Sequence, residues 1–232
     1  MRLLKDLWEA LLHLAFPHLC EGCGNDLPDI AHPLCLHCLS LLPETSFHLH
    51  EQNPVSHLFT GRVPVQYATA GFFFTKGAMM QQLLHQVKYK NNKALGIYLG
   101  RSLGSMLASS PHFQSVDLII PLPLFKAKER RRGFNQSAIL CKGIHEMFHK
   151  PVIESIVKRI SDTESQTHKN RMERWENMDG QFELIDPEPI RDKHVLLVDD
   201  VLTTGATLEA CARALLKGTN VKLSIAVLCV AS

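Results

Sequence analysis

The chain of 232 residues is 45% hydrophobic and has a formal net charge of +2 at pH 7. This length suits one substantial hydrophobic core plus a small appendage, and the near-neutral charge gives no overall reason to expect a nucleic acid or an acidic membrane as partner. An odd count of seven cysteines, with no secretion signal, predicts a reducing compartment and hence a cytoplasmic protein.

The first segment, residues 3–16, repeats leucine and tryptophan at helical spacing and ends before Pro17, which predicts a helix. Lys5, Asp6 and Glu9 interrupt its apolar stretch, so no membrane span is expected there, and no other stretch is long enough for one. Because its polar face mixes charges of both signs, packing against the neighbouring domain is favoured. Binding to a membrane surface or a partner is the alternative.

Two Cys-x-x-Cys pairs follow, Cys20 with Cys23 and Cys35 with Cys38, separated by eleven residues. Four thiolates at this spacing can close a tetrahedron around one Zn²⁺, and a site filled by cysteines leaves no open position for a substrate. We therefore predict a structural zinc module within residues 1–45, which would draw much of its folding free energy from the metal. Two disulfides are the alternative, which a reducing compartment disfavours.

Residues 46–62 show no sustained hydrophobic period, which predicts a linker. Strand and helix patterns then alternate through residues 63–232. Strands are predicted at 63–74, 117–120, 154–160, 181–185, 195–198 and 222–230, and helices at 78–90, 93–109, 136–148 and 208–216. This alternation is typical of an α/β domain with a parallel sheet flanked by helices on both faces.

The most informative stretch is HVLLVDDVLTTGAT, residues 194–207. Its uninterrupted apolar start predicts a strand buried on both faces, followed by two acids, a loop of small residues and a helix. Backbone N–H groups, hydroxyls and the positive end of a helix dipole favour a phosphate in such a loop, and carboxylates suit a sugar diol. The residues assigned to this ribose 5-phosphate site are Asp199, Asp200, Val201, Leu202, Thr203, Thr204, Gly205, Ala206 and Thr207. The alternatives are a buried strand with a polar turn and the Walker B strand of an NTPase. The Walker B interpretation requires a G-x-x-x-x-G-K-[ST] loop, which the chain does not contain.

A basic run follows the predicted strand at 117–120. Lys126, Lys128, Arg130, Arg131 and Arg132 fill five of its seven positions. A basic loop at the carboxyl end of a strand suits a pyrophosphate. Contacts with the phosphates of DNA or RNA and a solvated charged loop are the alternatives.

The stretch 161–180 is long, polar and internal to the predicted domain. Such loops are usually functional, and we predict a mobile flap that closes on substrate and excludes water. Its candidate functional residues include Gln166, Lys169 and Arg171.

Residues 194–207 resemble the 5-phosphoribosyl-1-pyrophosphate (PRPP) binding motif of type I phosphoribosyltransferases. With the four cysteines, Lys88-Tyr89, Pro121-Leu122-Pro123 and Arg132-Gly133-Phe134-Asn135-Gln136, nearly the whole chain resembles the ComF/ComFC family. The resemblance implies a type I phosphoribosyltransferase fold with an N-terminal zinc finger. It also implies a role in natural transformation, in which DNA is taken up across the inner membrane.

On this hypothesis Asp199 and Asp200 hold the ribose hydroxyls. Mg²⁺ would bridge these hydroxyls and the pyrophosphate oxygens of PRPP. Arg132, Lys169 and Arg171 would stabilise the leaving pyrophosphate while positive charge builds on the ribose. We expect a protein that transfers or senses phosphoribosyl groups during DNA uptake, with DNA-uptake proteins as partners. A non-catalytic protein that binds single-stranded DNA, or an adaptor, is the alternative. The sequence indicates neither the acceptor nor the oligomeric state.

Overall fold

A parallel sheet of four strands lies at the centre of the computed structural model, which describes residues 17–27, 32–161 and 180–231. The strands are β1 (Ala68–Phe74), β2 (Leu118–Pro121), β5 (His194–Leu202) and β6 (Lys222–Ala231). Their order is β1-β6-β5-β2, and every neighbouring pair is parallel. β5 is therefore hydrogen-bonded on both sides, and the predicted parallel sheet is confirmed.

The first described helix, α1 (Leu36–Ser40), lies among the N-terminal cysteines, and the later helices cover both faces of this sheet. The helices α3 (Met79–Tyr89), α4 (Lys93–Ser109) and α6 (Gln136–Phe148) pack on one face, and α2 (Pro54–Phe59) and α7 (Ala206–Leu215) on the other. Successive strand residues point to opposite faces. Leu196 and Val198 accordingly pack in the hydrophobic cluster formed with α3, α4 and α6, and Val195 and Leu197 pack in the cluster formed with α2 and α7. All four are fully buried, which explains why this stretch contains no polar residue.

A second, smaller sheet consists of β3 (Val157–Arg159) and β4 (Phe182–Leu184), which pair antiparallel. Val157 and Phe182 are buried in the same cluster as α7, so this pair extends the core on that face. Both strands were predicted, with longer bounds. The flap was predicted in the polar stretch between these two strands. Residues 162–179 of that stretch lie outside the described part of the chain.

Two predicted irregular segments contain helices. The stretch 46–62, predicted as a linker, holds a 3-10 turn at Phe47–Leu49 and the helix α2. Asn53 caps α2 by accepting the N–H groups of Val55 and Ser56. The basic run, predicted as a loop, forms α5 (Lys126–Arg132), which ends at Gly133 with φ +80°. One helix is too short and the other too uniformly charged to show an apolar period, which is why the pattern did not predict them.

The backbones of α4 and α6 approach each other closely along a stripe of glycines. Gly96, Gly100 and Gly104 recur every four residues on α4, so they share one helix face. A Cβ at Gly100 would lie 2.2 Å from the carbonyl oxygen of Leu140, and one at Gly143 would lie 2.0 Å from that of Ile97. Hydrogen is therefore the only side chain that fits at these two positions.

None of the helices in the described ranges has the length and apolar character needed to cross a lipid bilayer.

We expect Gly143→Ala to lower the free energy of unfolding by about 3 kcal/mol, because overpacking against backbone atoms cannot be relieved by a rotamer change. Urea unfolding followed by circular dichroism measures this change. Lys142→Ala, at an exposed position of the same helix, is the control and should stay within about 0.5 kcal/mol of the wild type. Equal stability of the two variants would contradict the close helix approach.

Candidate functional site

The carboxyl end of β5 brings two carboxylates to the edge of the sheet. Oδ1 of Asp199 accepts the hydroxyl of Ser137, at 3.0 Å, and the backbone N–H of Asp200, at 2.8 Å. Oδ2 of Asp200 lies 2.7 Å from Nζ of Lys88, in the last turn of α3. Each carboxylate is partly buried and is held by a different helix.

Asp199 has an unusual protonation equilibrium. Burial, and next the charge of Asp200, raise its pKa from 3.8 to about 7, although the hydrogen bonds from the Asp200 N–H and Ser137 and the charge of Lys88 act in the opposite direction. At neutral pH both the protonated and the ionised form of this carboxyl group are therefore populated. The protonated form can donate a hydrogen bond, and the ionised form can only accept.

Beyond the two acids, the loop Thr203–Thr207 borders a small open hollow. The lining residues are Asp199, Val201, Leu202, Thr203, Thr204, Gly205, Ala206, Thr207 and Leu208. Gly205 has φ +77° and precedes the first turn of α7, and a Cβ there would lie 3.3 Å from the ring of Phe59. Backbone N–H groups at the start of this ten-residue helix, together with threonine hydroxyls, give the hollow the character of an anion site.

An ion-pair network centred on a buried glutamate supports this loop from behind. Arg62 donates from Nε to Glu209, at 2.8 Å, and from Nη1 to the carbonyl oxygen of Thr204, at 3.0 Å. Arg213 donates to the other carboxylate oxygen of Glu209, at 2.9 Å, and to the carbonyl oxygen of Arg62, at 2.7 Å. Glu209 is only 6% exposed. Because the network ties the loop to the segment after α2, it restricts the loop conformation.

Sequence reasoning missed this network. Its signal was Glu209, an acid among the apolar residues of α7, because such a buried charge requires a cationic partner. Arg62 lies in the segment predicted as a linker, where nothing indicated a partner for α7.

A third group of contacts involves Arg132, at the end of α5. Its guanidinium lies 5.6 Å from the ring centre of Tyr89, and its Nη1 donates to Oε1 of Gln136, at 2.7 Å. Nε of Arg132 and Nε2 of Gln136 are buried and have no hydrogen-bond partner within the described residues. Tyr89 follows Lys88, and Gln136 precedes Ser137, so Arg132 is joined by neighbouring residues to both carboxylates.

The structure thus brings together the predicted Asp199, Asp200 and the loop Thr203–Thr207, and links Arg132 to them through Tyr89 and Gln136. The remaining basic residues of α5 are exposed or partly exposed. Two predicted site residues, Lys169 and Arg171, lie outside the described residues. From the sequence, Lys88 was named only as part of the family resemblance, and its ion pair with Asp200 was not predicted.

The four N-terminal cysteines form a second candidate site. Their Sγ atoms all lie within 4.8 Å of one another, and the Cys23 and Cys35 sulfurs are 3.7 Å apart. Tetrahedral zinc at Zn–S distances of about 2.3 Å places its sulfurs about 3.8 Å apart. The predicted cysteine cluster is therefore confirmed, and its geometry fits a zinc ion.

The thiol of Cys20 is already biased toward a metal ligand. Burial would raise its pKa, but backbone N–H groups of Cys35, Cys23 and Gly22 lower it to about 6. The thiolate, which is the form that binds metal, is therefore favoured at neutral pH.

This module packs directly on the rest of the protein. Glu21 accepts Nε2 of Gln86 at its carbonyl oxygen, at 2.8 Å, and Nδ2 of Asn92 at its carboxylate, at 2.7 Å. A Cβ at Gly22 would lie 2.8 Å from Sγ of Cys38 and 3.1 Å from Sδ of Met79. The module thus lies against α3, the helix whose last turn holds Asp200 through Lys88.

Comparison with known proteins gives a family match and several relatives. Residues 142–232, which include β5, its loop and α7, match the family described as phosphoribosyl transferase domain. The chain is 28% identical to competence protein F of Haemophilus influenzae over 210 residues, covering 89% of this chain and 87% of the relative. It is 26% identical to competence protein ComFC of Bacillus subtilis over 208 residues, covering 86% and 72%.

A third relative matches over a shorter region. The DNA utilization protein YhgH of Salmonella typhimurium is 31% identical over 150 residues, which cover 63% of this chain and 65% of that protein.

We expect the protein to bind about one Zn²⁺ per chain and Cys23→Ser to lose most of it, because one of four thiolate ligands is removed. Inductively coupled plasma mass spectrometry of the dialysed protein measures the metal. Cys141→Ala, which removes a buried core thiol, should keep the zinc. Full zinc content in Cys23→Ser would contradict the four-cysteine site.

We expect Asp199→Asn to stabilise the protein relative to the wild type increasingly as the pH rises from about 4 to about 7. The folded-state pKa exceeds the unfolded value of 3.8, so the stability that protonated Asp199 contributes is lost as the carboxyl group ionises over this range. Asparagine keeps an oxygen for both hydrogen bonds and does not ionise. Urea unfolding at pH 4 and pH 8 should show the difference in unfolding free energy between variant and wild type growing by roughly 4 kcal/mol. A difference independent of pH would contradict the raised pKa.

Proposed function

Because this chain belongs to the ComF family, we propose that it is a PRPP-binding, phosphoribosyltransferase-like protein that acts in DNA uptake. The observation that carries this proposal is that two carboxylates stand beside an anion loop at one sheet edge: Asp199 and the loop Thr203–Thr207 line one open hollow, and Asp200 is the next residue of β5. Diol acceptors beside an anion cradle suit a pentose that carries a 5-phosphate.

The loop would bind the 5-phosphate. Gly205, with its positive φ, turns the backbone into α7, and its missing Cβ leaves room for Phe59 behind the loop. The threonine hydroxyls offer further donors. Arg62 and Glu209 hold the loop from behind. The phosphate is thus bound mainly by neutral donors and the dipole of α7.

The two carboxylates would bind the ribose hydroxyls. The contacts within the protein use Oδ1 of Asp199 and Oδ2 of Asp200, so each carboxylate has a second oxygen that can accept from a hydroxyl. Adjacent carboxylates also fit Mg²⁺ carried by PRPP, since this ion usually takes one or two carboxylates together with phosphate oxygens and waters. When bound, Mg²⁺ would neutralise charge on the departing pyrophosphate.

In the transfer step, the bond between ribose C1 and the pyrophosphate oxygen breaks, and its electron pair leaves with pyrophosphate. A bond from C1 to the acceptor nucleophile forms. Positive charge develops on the ring, as it does in glycoside cleavage, and the negative charge of Asp200 and of ionised Asp199 stabilises it. The free N–H donors of Arg132 and Gln136 would contact the leaving pyrophosphate.

A role in DNA uptake is supported by the relatives, two of which are named competence proteins and one a DNA utilization protein. The exposed cations of α5, among them Arg130 and Arg131, favour a second candidate function. This is a non-catalytic protein that contacts the phosphates of single-stranded DNA. Structural zinc in the N-terminal module is compatible with either function.

We expect Asp200→Asn to weaken Mg²⁺-dependent PRPP binding at least about tenfold, because the variant loses a charged acceptor for the ribose hydroxyls. Isothermal titration calorimetry measures the affinity. Asp192→Asn is the matched control, since it makes the same change just before β5, at the opposite end of the strand, and should keep wild-type affinity.

Wild-type affinity in Asp200→Asn would contradict the site assignment. If the wild-type protein does not bind PRPP but binds a single-stranded oligonucleotide with a steep dependence on salt concentration, the second candidate function replaces the first.

A further inference from the structure

The ion pair between Lys88 and Asp200 lies within the site proposed for PRPP. Its atoms are 2.7 Å apart, and the two side chains are only 23% and 13% exposed. An ion pair with this little solvent around it is stronger than a surface pair, and each partner is costly to leave alone. A ribose diol that binds Asp200 therefore meets a carboxylate whose charge is already compensated.

At the end of α3, where Tyr89 contacts Arg132, lies a corner that lacks an acceptor. Nε of Arg132 and Nε2 of Gln136 are buried without a partner in the described ranges, and Gln136 is 3% exposed. Two such donors carry an unfavourable desolvation cost until an acceptor arrives. Since a guanidinium is always charged, an anion is the acceptor that suits this corner best.

Lys88 contacts the carboxylate of Asp200 from the last turn of α3. The next residue, Tyr89, carries the guanidinium of Arg132 on its ring, so the end of α3 contacts both groups. A lysine has a compact charge on a flexible stem, and it can exchange partners at lower cost than the planar, bidentate guanidinium of an arginine.

We propose that Lys88 determines the specificity of this site for a diphosphate-bearing sugar by exchanging Asp200 for the diphosphate when ligand binds. This inference rests on the proposed function. A diphosphate with several negative charges replaces the Asp200 carboxylate as the counter-ion of Lys88. Arg132 and Gln136 contact the same diphosphate. Ribose 5-phosphate has no group at C1 that can do so, and it must compete with Lys88 for Asp200.

The exchange predicts opposite effects of removing Lys88 on two ligands. Lys88→Met should weaken Mg²⁺-dependent PRPP binding about thirtyfold, because a charge-assisted contact with the diphosphate is lost. The same variant should bind ribose 5-phosphate at least as tightly as the wild type, and up to about threefold more tightly, because Asp200 no longer has a competing partner. Calorimetry with each ligand at a fixed salt concentration measures both affinities.

Lys90→Met is the matched control. This exposed lysine lies two residues further along the chain, and its replacement removes the same charge without touching Asp200. Both ligands should bind it within about twofold of the wild type, since exposed charges are screened by salt. If Lys88→Met loses its circular dichroism signal, Lys88→Gln tests the loss of charge instead: PRPP binding should still weaken at least about tenfold, while ribose 5-phosphate, which still competes with an amide for Asp200, should bind within about twofold of the wild type.

The outcomes separate this inference from the function on which it rests. A wild-type protein that binds neither sugar phosphate overturns the proposed function, and the inference with it. If the wild-type protein binds PRPP but the Lys88 variant loses affinity for both ligands equally, Lys88 is a structural counter-ion and the specificity role is wrong. Unchanged PRPP affinity in the variant overturns it as well.

Discussion

The structure depends on how the negative charge of two adjacent carboxylates is compensated. These carboxylates lie at the end of a strand that is buried on both faces. Burial and mutual repulsion oppose ionisation at this point, and the raised pKa of Asp199, about 7, expresses that cost. Ser137 at the start of α6 and Lys88 at the end of α3 offset it. Packing of the two helices on the sheet and chemistry at its edge are therefore parts of one arrangement.

The same arrangement connects the zinc module with the edge of the sheet. The module contacts α3 through Glu21, Gln86 and Asn92, and it shares the hydrophobic cluster of that helix. Without a metal, four clustered cysteine side chains have no partner strong enough to order so short a segment. Zinc would therefore contribute to the placement of α3, and through it to the position of Lys88 beside Asp200.

Most of the α/β architecture, and the parts of the site close together in the chain, could be predicted from the sequence. The apolar run Val195–Val198 predicted a doubly buried strand, and Asp199 through Thr207 predicted an anion loop before a helix. Two Cys-x-x-Cys pairs predicted the sulfur cluster. The helices α2 and α5 could not be predicted from an apolar period, because one spans only six residues and the other consists almost entirely of charged residues.

What the sequence determined by itself is therefore local: periods of two and of 3.6 residues, and spacings that bring metal or phosphate ligands together within a short segment. Only the tertiary structure decided which residues far apart in the chain form ion pairs. Arg62 meets Glu209 across 147 positions of the chain, and Lys88 meets Asp200 from a different element. The physical reason is that the order of strands and the crossings of helices decide which side chains meet, and no short sequence window contains that information.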